Sequence, residues 1–296
     1  MKGLASLAMR GRFHALLLTV ACAGSLLFCW ISAALVALVT LRKGASQGAW
    51  LMLWALLPAG TLLYVFGDSG PITLLAGTLI LALVLRVTVS LPLTMLAAVA
   101  VGFLTGLALV AFGGSALDQM VAYLGEFLSS LEQELGKNGQ EVVLARPTAV
   151  QVAGMLGAGN AMMSVMCLLL ARYWQAALYN PGGFASEFRQ LRLTPVISAV
   201  LAVVAVALFS LGVQYRTWAL ISLLPLTFAG LSLVHARAAS RGQGSGWLAV
   251  FYVAWVLFDP VKLLLVIAAI ADSWLDFRQR WASGSGTDVR RHDDED

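Results

Sequence analysis

Eight apolar runs dominate this chain, at about 14–41, 49–66, 71–85, 91–112, 149–171, 195–213, 217–234 and 247–271. The hydrocarbon core of a bilayer is about 30 Å thick and takes roughly 20 apolar residues per helical crossing. Backbone N–H and C=O groups in lipid must be satisfied within the segment, which leaves helices or a closed barrel. A barrel needs strands of about 10 alternating residues. Stretches such as Leu51–Leu57 and Val200–Leu208 are apolar throughout and do not alternate. The pattern predicts an all-α, polytopic transmembrane helical bundle. With 60% hydrophobic and 11% charged residues, no large soluble domain can be hidden. Residues 1–282 therefore read as a single transmembrane helical domain.

The charges refine the topology. Eight plain crossings starting inside would put ten Lys and Arg residues inside and eight outside, almost no bias. If the first and last runs each enter and return on one side, fifteen fall inside, from Lys2, Arg10 and Arg12 to Arg290 and Arg291. Only Lys137, Arg146 and Arg216 stay outside, and Lys262 lies within the last run. That asymmetry is what the positive-inside rule expects. The first run, 28 residues or about 42 Å as one helix, is predicted to bend near Trp30-Ile31-Ser32. The last contains Asp259-Pro260, where Pro removes a helix hydrogen bond, and is predicted to be bent or re-entrant. Lys2, Arg10 and Arg12 followed by Ala21-Cys22-Ala23 resemble a cleavable signal. The hydrophobicity continues to Leu41, so the run reads as uncleaved.

The long polar gap at 113–148 carries Leu117, Met120, Leu124, Phe127, Leu128, Leu131 and Leu135 at helical spacing, with Asp118, Glu126, Glu132 and Glu134 on the other face. It predicts an amphipathic helix on the periplasmic side, either resting on the bundle or acting as a lid. The tail, 283–296, is Ser/Gly-rich and then charged, and is predicted to be a disordered cytoplasmic segment.

Polar residues inside apolar runs are the candidate ligand groups. Asp259 and Lys262 are three apart and can pair on one helical face, or contact a substrate or ion. Asn160, within the small-residue stretch Gly154 to Ala161, either bonds across a helix interface or faces a ligand together with Gln151. The densest polar cluster is Arg172-Tyr173-Trp174-Gln175, Tyr179-Asn180-Pro181-Gly182-Gly183-Phe184 and Glu187-Phe188-Arg189, ending at Arg192. Asn-Pro-Gly-Gly fits a type II turn. Beyond it Phe184 and Phe188 share one helical face, with Arg189 and Arg192 beside it. Tyr179, Asn180, Phe184, Phe188, Arg189 and Arg192 are the candidate contacts for a membrane or ATPase partner. An interfacial helix at headgroup level is the alternative.

This cluster, together with Asp272-Ser273-Trp274-Leu275-Asp276-Phe277-Arg278 and Leu41-Arg42-Lys43-Gly44, resembles the signature of the YybS-like proteins. These are bacterial integral membrane proteins without an agreed activity, distantly similar to the substrate-binding S-components of energy-coupling-factor transporters. The resemblance implies a multi-pass protein of the bacterial inner membrane, with a helical bundle around a small-molecule pocket. It supplies no substrate residues. The charge count puts both termini in the cytoplasm.

Several chemistries lack their residues. No Gly-rich loop ends in Gly-Lys-Ser/Thr, so the chain should not hydrolyse ATP itself. His14, His235 and His292 are isolated, which leaves no histidine metal site or His-based triad. Cys22, Cys29 and Cys167 lie in apolar runs without ligand spacing and read as small hydrophobes. The basic residues form no stripe for nucleic acid. No cofactor and no enzymatic activity are expected. The reading is a small-solute- or lipid-binding membrane protein resembling a transport subunit. The alternative is a membrane scaffold or assembly factor with no solute.

Overall fold

The computed structural model describes residues 2–137 and 143–281. The tail at 283–296 and residues 138–142 of the polar gap lie outside the described residues. All regular structure among the described residues is helical. The helices are α1 (Lys2–Arg10), α2 (Arg12–Ala23), α3 (Cys29–Lys43), α4 (Ala45–Phe66), α5 (Gly70–Thr88), α6 (Leu91–Phe112) and α7 (Gly114–Gly136). They continue with α8 (Ala149–Tyr179), α9 (Gly183–Arg189), α10 (Pro195–Ser210), α11 (Arg216–Ser240), α12 (Ser245–Leu257) and α13 (Asp259–Leu275).

Among the described residues five segments are long and apolar enough to cross a bilayer: Ala45–Phe66, Gly70–Thr88, Leu91–Phe112, Ala149–Tyr179 and Val213–Ser240. Counting the bent pair α12 and α13 as one span makes six. These helices fit a multi-pass membrane protein. The expected eight segments are reduced for a physical reason. The first apolar run is divided into α2 and α3, and α10 has 16 residues, about 24 Å of helix.

The chain divides into two compact units. One comprises Met1–Pro181 and Ala205–Ile221, the other Gly182–Val204 and Ser222–Asp296.

In the first unit α3 is the central helix, packed by α2, α4, α5 and α8. Every residue from Ser32 to Thr40 is buried, as expected of a helix that is apolar all round. The break in the first run falls at residues 24–28, not at Trp30-Ile31-Ser32, which lie inside α3. Gly24 ends α2, and the N–H groups of Phe28 and Cys29 donate to the Ser25 carbonyl, opening α3. At its other end Arg86 donates to the carbonyls of Thr40 (3.1 Å) and Leu41 (2.8 Å). A guanidinium there satisfies orphan acceptors and complements the helix dipole. The pair α6 and α8 approaches at glycines. A Cβ at Gly157 would lie 2.5 Å from the Gly102 carbonyl oxygen, so the small-residue stretch serves close backbone packing.

The second unit holds α9, the first part of α10, the later part of α11, α12 and α13. The last apolar run bends by 112° between α12 and α13. Phe258 is extended, and Asp259-Pro260 open the new helix. Pro fits a first helical turn because its missing N–H has no intrahelical acceptor there.

Candidate site: a cavity in the first unit

The first unit contains a cavity of about 610 Å³, within the 300–1,000 Å³ usual for small-molecule sites. Its walls come from the α2–α3 turn (Leu26, Cys29, Trp30), the α4–α5 turn (Phe66 to Pro71), α6 (Thr105, Leu109), α7 (Ala116 to Tyr123) and α8 (Met155 to Met163). Most of the lining is apolar. Met120, Met155 and Met163 are flexible enough to accommodate varied apolar shapes. Met155, Gly159 and Met163 recur every four residues, which places them on one face of α8.

Asn160 sits on this wall. Its Nδ2 donates to Thr105 Oγ1 at 2.9 Å and to the Thr73 carbonyl at 3.4 Å. The partners settle which end of the amide is which. A carbonyl only accepts, and the Thr105 hydroxyl spends its proton on the Val101 carbonyl at 2.8 Å, so both contacts require the NH₂ end. Both Asn160 donors are used, while Oδ1 has no protein donor among the described residues. Thr73 is held in turn by its own hydroxyl, which donates to the Gly70 carbonyl at 3.0 Å. One turn along α8 from Asn160, the buried Ser164 hydroxyl has no hydrogen-bond partner among the described residues.

The second polar feature is Asp68, in the turn between α4 and α5. Its Oδ1 accepts the Gly70 N–H at 2.8 Å, an Asx turn that starts α5 and explains an Asp at this position. Asp68 is the one charged residue among those lining the cavity, and no basic side chain among the described residues pairs with it.

The amphipathic segment is present as α7, and its Leu117 joins a cluster with Val152, Ala153, Trp218 and Ile221. The polar face is tied down near its end. Glu132 accepts the Leu144 N–H at 2.6 Å and pairs with Arg146 at 2.6 Å. The Leu144 bond first, and then Arg146, hold its carboxyl below the usual glutamate range.

The other residues singled out from the sequence sit elsewhere. Gln151 forms the capping box of α8: its N–H donates to Thr148 Oγ1 at 3.3 Å, its Oε1 accepts the Thr148 N–H at 2.8 Å, and its Nε2 donates to the Val213 carbonyl. It does not line the cavity. Asp259 and Lys262 pair at 2.7 Å on the surface of the second unit, with side chains 91% and 46% exposed. The six partner-contact candidates largely have partners within the chain. Arg42 lies 4.1 Å over the Tyr179 ring, and the Asn180 N–H caps α8 by donating to Ala176. Phe184 stacks on Phe188, which meets His235 edge-on. The Arg189 carbonyl accepts from Arg278. Arg192 pairs with Asp276 and donates to the Asp272 and Ser273 carbonyls. Gly182 has φ 87° and ψ −19°, the third-position geometry of a type II turn.

Sequence reasoning missed Asp68, Thr73 and Thr105. The available signal was a lone acid in the short gap between two apolar runs, and isolated threonines within runs. Among the described residues no group of three or more His, Cys, Asp or Glu could hold a metal ion. No protein-family model, no curated protein and no solved structure matches this chain.

Proposed function

We propose that this chain is a non-enzymatic, multi-pass protein of the bacterial inner membrane that binds a small solute in the cavity of its first unit. In this reading it is the substrate-binding part of a transport system, similar to the S-components, and energy comes from a separate ATPase partner. Both termini face the cytoplasm, and the cavity opens on the periplasmic side, where α7 flanks it. The resemblance to the YybS-like proteins agrees with this reading.

The observation that carries it is the cavity wall at Asn160: a mostly apolar space of solute size with an oriented amide whose acceptor is left over. A pocket with a few convergent polar groups is the usual form of a small-molecule site.

Gly159 supplies the test. It lines the cavity, and nothing lies within 4 Å of where its Cβ would be, so a large side chain there enters open space. Protein purified from native membranes into nanodiscs should carry a small molecule detectable by mass spectrometry after denaturation. Gly159→Trp should lose that molecule while keeping the elution profile and thermal unfolding of the parent. An empty parent protein, or equal occupancy in Gly159→Trp, would leave the scaffold reading.

A further inference from the structure

We propose that the cavity selects an organic cation: a molecule with a protonated, N–H-bearing amine and an apolar, ring-sized body. This rests on the solute-binding reading above and names the substrate class.

Asn160 has spent both of its N–H groups on Thr105 and the Thr73 carbonyl, so it offers only Oδ1. Asp68 is the one acidic side chain on the wall, and the Gly70 N–H engages one of its oxygens. The second oxygen is an acceptor with no basic partner among the described residues. The wall contains no Lys, Arg or His to receive an anion. Ser69, Gln119 and Tyr123 on the same wall can donate as well as accept, so the bias comes from Asp68, the one charge there, together with the acceptor left on Asn160, and its complement is a donor carrying positive charge. Hydrogen bonds between ionised groups are roughly twice as strong as neutral ones. The remaining surface, with Trp30, Tyr123 and the methionines, suits an apolar or aromatic body. An aromatic face also attracts a cation.

Four probes with one naphthyl body separate the possibilities: 2-(1-naphthyl)ethylammonium, its N,N,N-trimethyl analogue, 2-(1-naphthyl)ethanol and 1-naphthylacetate. Binding is measured by calorimetry on the full chain in phosphatidylcholine nanodiscs, whose zwitterionic lipid adds no attraction for cations. Empty nanodiscs and Gly159→Trp serve as blanks. The primary ammonium should bind tightest and the acetate weakest. Asp68→Asn should weaken the ammonium about tenfold or more and leave the alcohol unchanged, while Asp68→Glu should retain most of the affinity. Asn160→Leu should weaken the ammonium and the alcohol, which both donate, more than the trimethyl cation. Thermal unfolding of each variant checks the fold.

An acetate that binds as tightly as the ammonium, or an ammonium indifferent to Asp68→Asn, overturns the proposal. If the alcohol or acetate binds in a Gly159→Trp-sensitive way under either result, the solute-binding cavity stands and only the cation is wrong. If none of the four binds in that way, both readings fall.

Discussion

Each unit contains a polar cluster within a largely apolar setting, and the two are built on opposite accounts. In the second unit Arg192 pairs with Asp276, and Arg278 with Asp272 at 3.2 Å. The same guanidinium groups donate to the carbonyls of Arg189, Leu191, Asp272 and Ser273. Two positive charges meet two negative ones. In the first unit Asn160 and Asp68 stand on a cavity wall with an amide oxygen and a carboxylate oxygen over. Polarity within an apolar chain thus does not by itself mark a binding site. An uncompensated charge beside a cavity does, because a cluster whose charges balance one another has little left to attract a ligand.

The largest loss is expected at the charge cluster of the second unit. Arg278→Met leaves Asp272, whose side chain is 3% exposed, with a buried charge lacking its cation. It also removes donors from the Arg189 and Leu191 carbonyls. Removing one partner of a buried pair costs about 3–5 kcal/mol, and unfolding in mixed micelles should register a loss of that order. Asp272→Asn combined with Arg278→Met should lose less than the sum of the two single changes. Additive losses would mean that the charges are not coupled.

Backbone packing in the first unit comes next. Gly157→Leu pushes a side chain against the Gly102 backbone, and overpacking of this kind costs about 1–3 kcal/mol. The unfolding midpoint should fall. Gly159→Trp, two residues away but facing open space, should leave it nearly unchanged, so equal losses would contradict the packing described for α8.

Asn160→Leu sharpens the contrast between the clusters. It removes one neutral hydrogen-bond donor group, a change worth about 1 kcal/mol, far less than the loss at Arg278. Its main effect should be on bound solute. A stability loss as large as that of Arg278→Met would make Asn160 a structural group after all.

The smallest effect concerns α7 and pH. The folded carboxyl of Glu132 is held below the ordinary glutamate range, so the tie to Leu144 and Arg146 is fully present above that range. It is lost as pH falls through the depressed value. Hydrogen-exchange protection of the Leu144 amide, corrected for intrinsic exchange, should decline over that acidic interval. In Glu132→Gln it should be lower and flat with pH.

Much of the fold is legible in the sequence because its causes are local. Hydrophobic length marks α4, α5, α6, α8 and α11. Pro181-Gly182 stand in the order of a type II turn. Asp259-Pro260 mark the 112° bend between α12 and α13. The interruption of the first run is misplaced by a few residues. Gly24 and Ser25 offer only a weak local signal, and α3 is defined by the helices around it. The site is less legible. Asn160 is visible as a polar residue within a span. Gln151, Asp259 and Lys262 look equally promising, and only their partners separate them from it.

The sequence by itself determined the solvent of this protein, its helical class and most of its helix boundaries. Apolar periodicity, capping residues and prolines act within a few positions of where they stand. Tertiary structure alone decided which polar groups are spent and which remain. Asn160 finds its partners 55 and 87 residues away, and Arg192 meets Asp276 across 84. Whether an acceptor is left over depends on every donor that packing brings near it, and that sum exists only once the helices have assembled.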